Sequence, residues 1–202
     1  MKEQIVLRPG RYIRPQDIAV MASAGVTEVT VSARPRVGVI STGNELVEPD
    51  RVPAGAQIRN SNSLQLMAQA ARAGAIGKYY GIARDDEESI ARLLKKAVEE
   101  NDVVVISGGV SFGDFDLVPR VMLSMGLKIH FDQVAMQPGK PLTFCTGERK
   151  VVFGLPGNPV STLVQFEVMV RAFLDRMAGV TETAPVLQLP LAADYSRKRA
   201  ER

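Results

Sequence analysis

The chain has 202 residues, 46% apolar and 23% charged, the balance of a soluble globular protein with room for one full domain and flanking segments. Lys and Arg total 25 against 22 Asp and Glu, aromatics are 5%, and only Arg197-Lys198-Arg199 is clustered, so a nucleic-acid surface is poorly supported. Cys145 and His130 are each the sole residue of their type, which excludes an intrachain disulfide and a His/Cys zinc site. No apolar run approaches the ~20 residues of a membrane span, and Met1-Lys2-Glu3-Gln4 lacks the apolar core of a signal peptide. The expected address is cytoplasmic.

In chain order, residues 1–33 offer a helix from about Pro15 to Ala24 and a strand from Glu28 to Val31, too little for an independent core. From Arg36 to Gly179, β-rich runs alternate with helix-period stretches, which predicts an α/β domain with a mainly parallel sheet. Val37 to Ile40 is a buried strand ending at Ser41-Thr42-Gly43. After a polar loop, Asn62 is expected to cap a helix running to Ala73, with Gly74 stopping it. Ile76 to Ile82 reads as a strand. The acids of Asp85-Asp86-Glu87-Glu88 suit a helix N-terminus, and Ile90, Leu93, Leu94, Ala97 and Val98 follow one helical face. The continuously apolar Val103 to Ile106 reads as a central strand. A helix from about Asp116 to Met125 tolerates Pro119 in its first turn. Lys128 to Val134, Leu142 to Cys145 and Val151 to Leu155 are further strands. Asn158-Pro159 opens a last helix, expected to be mostly buried, with Glu167, Arg171 and Asp175 as a charged stripe. Val186 to Leu191 is strand-like, before a polar end. Both flanks look like pieces of other domains.

The unusual loops all lie beside strands, and in open parallel sheets ligands sit beyond the carboxyl ends of the strands. Thr42-Gly43-Asn44-Glu45 follows the first strand, Arg84-Asp85-Asp86 the second and Ser107-Gly108-Gly109-Val110-Ser111-Phe112-Gly113-Asp114 the third. Gln137-Pro138-Gly139-Lys140-Pro141 and Leu155-Pro156-Gly157-Asn158-Pro159 lie around the later strands. Gly108, Gly109 and Gly113 permit positive φ and close approach of backbone N–H groups to an anion, with Ser107 and Ser111 adding hydroxyls. A tight strand-to-helix turn would need the same glycines, and the run matches neither common phosphate-loop pattern. Glu45, Asp85 and Asp116 either gather round a divalent cation or, for the last two, are plain helix N-terminal acids. Lys140 is either an exposed turn lysine or a fixed charge for a phosphate or oxyanion. Asn158, Pro159 and Ser161 begin a helix whose N-terminus can cap itself and still attract an anion.

Taken in order, Arg36 to Leu46, Ser107 to Asp114 with Asp116, Gln137 to Pro141, and Leu155 to Ser161 resemble the molybdopterin molybdenumtransferases, the MoeA and gephyrin type. The resemblance implies a three-layer α/β/α domain over residues 34–180, flanked by part of an N-terminal domain at 1–33 and the start of a C-terminal β domain at 181–202. It implies Mg²⁺-dependent insertion of molybdate into adenylylated molybdopterin with release of AMP, in a protein that is a homodimer at full length. By the match, Glu45, Asp85 and Asp116 are the functional, metal-holding acids, and Lys140 and Ser161 face phosphate or molybdate. Thr42, Gly43, the Ser107–Asp114 loop, Pro138, Gly139, Pro156, Gly157 and Asn158 would hold substrate. Many members carry a lysine directly before Pro-Gly-Lys-Pro, and some another four residues earlier; here Gln137 and Gln133 stand there. Two alternatives share the fold: a molybdopterin adenylyltransferase, whose Ser-Gly-Gly loop typically continues with Thr-Gly, and a non-catalytic binding or scaffolding module.

Overall fold

A computed structural model describes residues 5–110, 117–181 and 187–194. It divides into two units, residues 34–174 and a smaller one formed by 1–33 together with 175–201.

In the larger unit the β-branched apolar runs become strands and the amphipathic stretches become helices. In order these are β1 (Arg36–Thr42), β2 (Leu46–Val47), β3 (Ile58–Arg59), α2 (Ser61–Arg72), β4 (Ile76–Ala83), α3 (Glu87–Glu100), β5 (Val103–Ser107) and α4 (Leu117–Ser124). They continue as β6 (Lys128–Gln133), β7 (Pro141–Gly147), β8 (Lys150–Leu155) and α5 (Pro159–Gln165). One turn of π-helix, Phe166–Val170, then joins α5 to α6 (Arg171–Met177); α1 (Pro15–Ser23) precedes them all in the smaller unit. The main sheet has the order β4-β1-β5-β8-β7-β6. β4, β1, β5 and β8 pair in parallel, and β7 and β6 add an antiparallel edge. This is the expected α/β fold with a mainly parallel sheet.

Alternation along the strands supplies both faces. Val37, Val39, Val103 and Val105 pack with Leu66 and Ala70 of α2 and with Phe166, Val170 and Leu174 of the final helix. Ile40, Val104 and Ile106 face the other way, against Ile90, Leu94 and Ala97 of α3 and Val118, Val121 and Met122 of α4. Each buried Val, Leu, Ile, Phe or Met among them contributes roughly 1.5–3 kcal/mol by leaving water, so the central strands hold the layers together. Cys145 is buried in the second cluster, beside the Met122 sulfur at 3.3 Å. Burial pushes its thiol up to about 12, which leaves it a packing residue.

Several local expectations need correction. The cap of α2 is Asn60, not Asn62: Asn60 Oδ1 accepts from the Ser63 N–H at 3.2 Å. The loop before it holds a short parallel pair, β2 with β3, that the polar composition hid. The final helix is amphipathic rather than mostly buried, with Ser161, Gln165, Phe166 and Leu174 inside and Val160, Leu163 and Val168 exposed. In the smaller unit, Glu28 to Val31 is not a strand, and neither are the described residues 187–191 of the run at Val186–Leu191. An alternating pattern becomes a strand only when a neighbour accepts its hydrogen bonds, and among the described residues no strand pairs with these.

Candidate functional site

β1 and β5 lie side by side, yet the chain leaves them in opposite directions. From β1 it passes through α2 to β4 on one side, and from β5 through α4 to β6 at the far edge. Their carboxyl ends therefore flank a crevice where the topology itself makes room for a ligand. A cleft of about 890 Å³ lies there. Its walls include Thr42, Gly43, Glu45, Asp85, Ser107, Gly108, Gly109, Gly139, Pro156, Gly157, Asn158 and Ser161, so twelve residues singled out from sequence come together. Pro138 and Lys140 are not among the lining residues, although Gly139 and Pro141 are. Ser111, Gly113, Asp114 and Asp116 lie outside the described residues.

The β5 loop is pressed tightly against β1. Gly108 has φ +95°, and a Cβ there would stand 2.4 Å from the Thr42 carbonyl oxygen. No side chain fits that space, so glycine is a steric requirement at this point. The Gly108 N–H donates to the Leu155 carbonyl at 2.9 Å, which ties the β5 loop to the end of β8. Thr42 Oγ1 lies beneath both glycines, buried and without a hydrogen-bond partner. Such a group costs about 1–3 kcal/mol if left unmet, so a cleft-wall hydroxyl in that state is suited to a ligand or ordered water.

The two acids on the described walls are held by different means. Asp85 Oδ2 accepts from the Asn44 N–H at 3.0 Å, and Asn44 Oδ1 accepts from the Asp85 N–H at 3.2 Å, a reciprocal clamp between the loops after β1 and β4. The Glu45 carboxylate folds over the Cα of Gly43, occupying the space a Cβ would take, at 2.7 Å from its position. Asp85 stands one residue before the cap of α3, Asp86, which accepts from the Ser89 N–H at 2.7 Å. Among the described residues no three of His, Cys, Asp and Glu gather as a complete metal cage. Glu45 and Asp85 are the two carboxylates on the described walls that a cation could use.

Asn158 caps α5, accepting from the N–H groups of Val160 at 3.0 Å and Ser161 at 3.2 Å. Thr162 Oγ1 holds the same turn through the Pro156 carbonyl at 2.5 Å. Sequence reasoning missed three further residues. Asn62, released from capping, is 7% exposed and lines the cleft. Its Nδ2 donates to the Gly157 carbonyl at 2.9 Å and to Ser107 Oγ at 3.4 Å, joining three walls. Asn60 receives the Ser41 hydroxyl at 3.1 Å and donates to the Tyr79 phenol at 2.8 Å, which in turn donates to Glu48 at 3.0 Å. Burial, and then the Glu48 carboxylate, push that phenol well above its ordinary value, so it stays protonated. Gln165, wholly buried, reaches the Gly139–Pro141 loop. An Asn-x-Asn pair at a helix start is the only visible signal for any of them.

Fold and cleft thus define an α/β domain with a ligand-sized cleft among the loops at its strand ends. Residues 38–176 match the model of the probable molybdopterin binding domain, and the chain belongs to that family. It is 37% identical over 194 residues to the molybdopterin molybdenumtransferase of Staphylococcus aureus strain Mu50, and 36% identical to that of Staphylococcus epidermidis. Both alignments cover 96% of this chain but 46% of the relative, so the chain spans about half the length of the curated relatives it matches. The molybdopterin biosynthesis MoeA protein of Pyrococcus horikoshii superposes with a TM-score of 0.77 at 38% identity, covering 86% of this chain and 43% of that one. The CinA protein of Thermoplasma acidophilum, 20% identical with a TM-score of 0.54, shares the fold.

Proposed function

We propose that this chain carries the pterin-nucleotide site of a molybdopterin molybdenumtransferase, which inserts molybdate into adenylylated molybdopterin and releases AMP. The observation that carries this reading is the single cleft walled by the loops after β1, β4, β5 and β8 in a molybdopterin-binding domain. Backbone donors after Gly108, with the hydroxyls of Ser107 and Thr42, hold the phosphates and the pterin-nucleotide, and the α5 entrance with Ser161 favours an oxyanion. Lys140 directs a positive charge at phosphate or molybdate, and Pro138, Gly139, Pro156 and Gly157 shape the walls. From the sequence match, Ser111, Gly113 and Asp114 are assigned to substrate binding as well. Glu45 and Asp85, with Asp116 as the third acid of the sequence match, would hold Mg²⁺. When bound, the cation neutralises charge developing as the phosphoanhydride is cleaved. The full-length protein works as a cytoplasmic homodimer.

Calorimetric titration with adenylylated molybdopterin, with and without Mg²⁺, tests this directly. Saturable binding is expected, with Asp116→Asn weakening only the Mg²⁺-dependent part and Gly108→Ala weakening both titrations by about tenfold or more. AMP release on adding molybdate then measures turnover. A folded chain that fails to bind the ligand, or binds it equally well as Gly108→Ala, overturns the assignment of this cleft.

A further inference from the structure

The loop that carries Lys140 is anchored from below by one side chain. Gln165, at the end of α5 and wholly buried, donates through Nε2 to the carbonyls of Gly139 and of Pro141, each at 2.6 Å. These carbonyls belong to the residues on either side of Lys140, so one amide fixes the backbone before and after the lysine. The contact is close-fitting. Gly139 has φ +101°, and a Cβ there would meet Gln165 Nε2 at 3.0 Å. The amide cannot be reversed, because its oxygen would then face two carbonyl oxygens. Gln165 Oε1 is meanwhile buried with no hydrogen-bond partner, a cost that an apolar residue at this helix position would not incur. A buried amide with one half unsatisfied and the other half shared between two loop carbonyls does more than fill the core.

We propose that Gln165 is a positioning residue for Lys140, holding the Gly139–Pro141 backbone so that the lysine leaves the loop in a fixed direction at the cleft rim. The same helix begins at Pro159, with Ser161 in its first turn on the cleft wall. α5 thus sets the Lys140 loop and its own entrance in one frame, as an oxyanion bound between them requires. This inference rests on the role given to Lys140 above.

Two measurements on Gln165→Met, which keeps side-chain length and removes the donor, test it. The first needs no ligand: amide hydrogen exchange. Faster exchange, by about tenfold, is expected in residues 134–141, with the β1, β5 and β8 strands unchanged. Unaltered exchange in that loop overturns the proposal. The second is a cycle of Gln165→Met, Lys140→Ala and the double variant, read as affinity for adenylylated molybdopterin. Each single change should weaken binding, and the double variant should bind no worse than Lys140→Ala. Additive losses, or full affinity in Gln165→Met, overturn the proposal and leave the cleft assignment standing. A wild-type chain that does not bind overturns that assignment instead, and hydrogen exchange then decides the restraint alone. If Gln165→Met does not fold, Gln165→Leu, which also lacks a donor, serves both measurements, with the same outcomes deciding.

Discussion

Asn60 and Asn62 stand two positions apart at the start of α2 and do different work. Asn60 accepts from the Ser63 N–H and the Ser41 hydroxyl and donates to Tyr79, so its loss would remove a helix cap and leave the buried Ser41 hydroxyl without this acceptor. Asn62 reaches across the cleft wall to Gly157 and Ser107. Asn60→Ala should therefore cost about 2 kcal/mol or more in urea unfolding, whereas Asn62→Ala should cost less than that and weaken ligand binding instead. Equal stability losses with unaltered binding in Asn62→Ala would refute the division of labour. Local sequence could name a cap within this pair but not choose its member, because the choice is made by Ser41 and Tyr79, which come from distant strands. The glycines were easier to read. A run of Ser107-Gly108-Gly109 after an apolar strand announces close backbone approach, and Thr42 is what it approaches.

α2 and the final helix are joined by more than apolar packing. Glu167, in the π-helical turn, accepts from Arg72 at 2.5 Å and Gln69 at 2.7 Å, both on α2, and from Arg171 at 3.2 Å on its own helix. Partial burial pushes its carboxyl up, but these three donors outweigh that and hold it below the usual carboxylate value. A group with a lowered folded pKa contributes stability above its unfolded value, and that contribution is lost as pH falls through the folded one. Thermal unfolding followed from pH 6 down to pH 3 should show a steeper decline for the wild-type chain than for Glu167→Gln; parallel curves would refute the tie. The elements themselves were largely legible, since continuous apolar runs became β1, β5 and β8 and the acid-led amphipathic stretch became α3. The π turn was not, because nothing in Phe166-Glu167-Val168-Met169-Val170 departs from an ordinary helical pattern. The strands expected at Glu28–Val31 and Val186–Leu191 differ for the converse reason: the local pattern alternates, but among the described residues no strand pairs with it.

At the scale of the chain, the two units differ sharply in what could hold them together. The larger unit owns both apolar clusters, while the smaller one has Asp17 as its single buried residue among those described. Asp17 is paired with Arg11 at 3.2 Å and accepts from the Arg14 N–H at 2.9 Å, and Tyr12 meets Asp175. Ion pairs and hydrogen bonds of this kind contribute little without a core beneath them. Apolar residues of the same unit, such as Ile5, Ile18, Val31, Leu187 and Leu191, are exposed. We therefore propose that residues 34–180 form the autonomous folding unit. A chain cut to those residues should unfold in one cooperative thermal transition, within a few degrees of the full 202-residue chain. It should also bind adenylylated molybdopterin with similar affinity, because every wall of the cleft comes from within it. A broad, non-cooperative transition would mean that the flanking segments supply stability their exposed side chains do not suggest. A cooperative transition with lost binding would instead place part of the ligand site in the flanks, and the boundary between domain and partner segments would then have to be drawn by function rather than by packing.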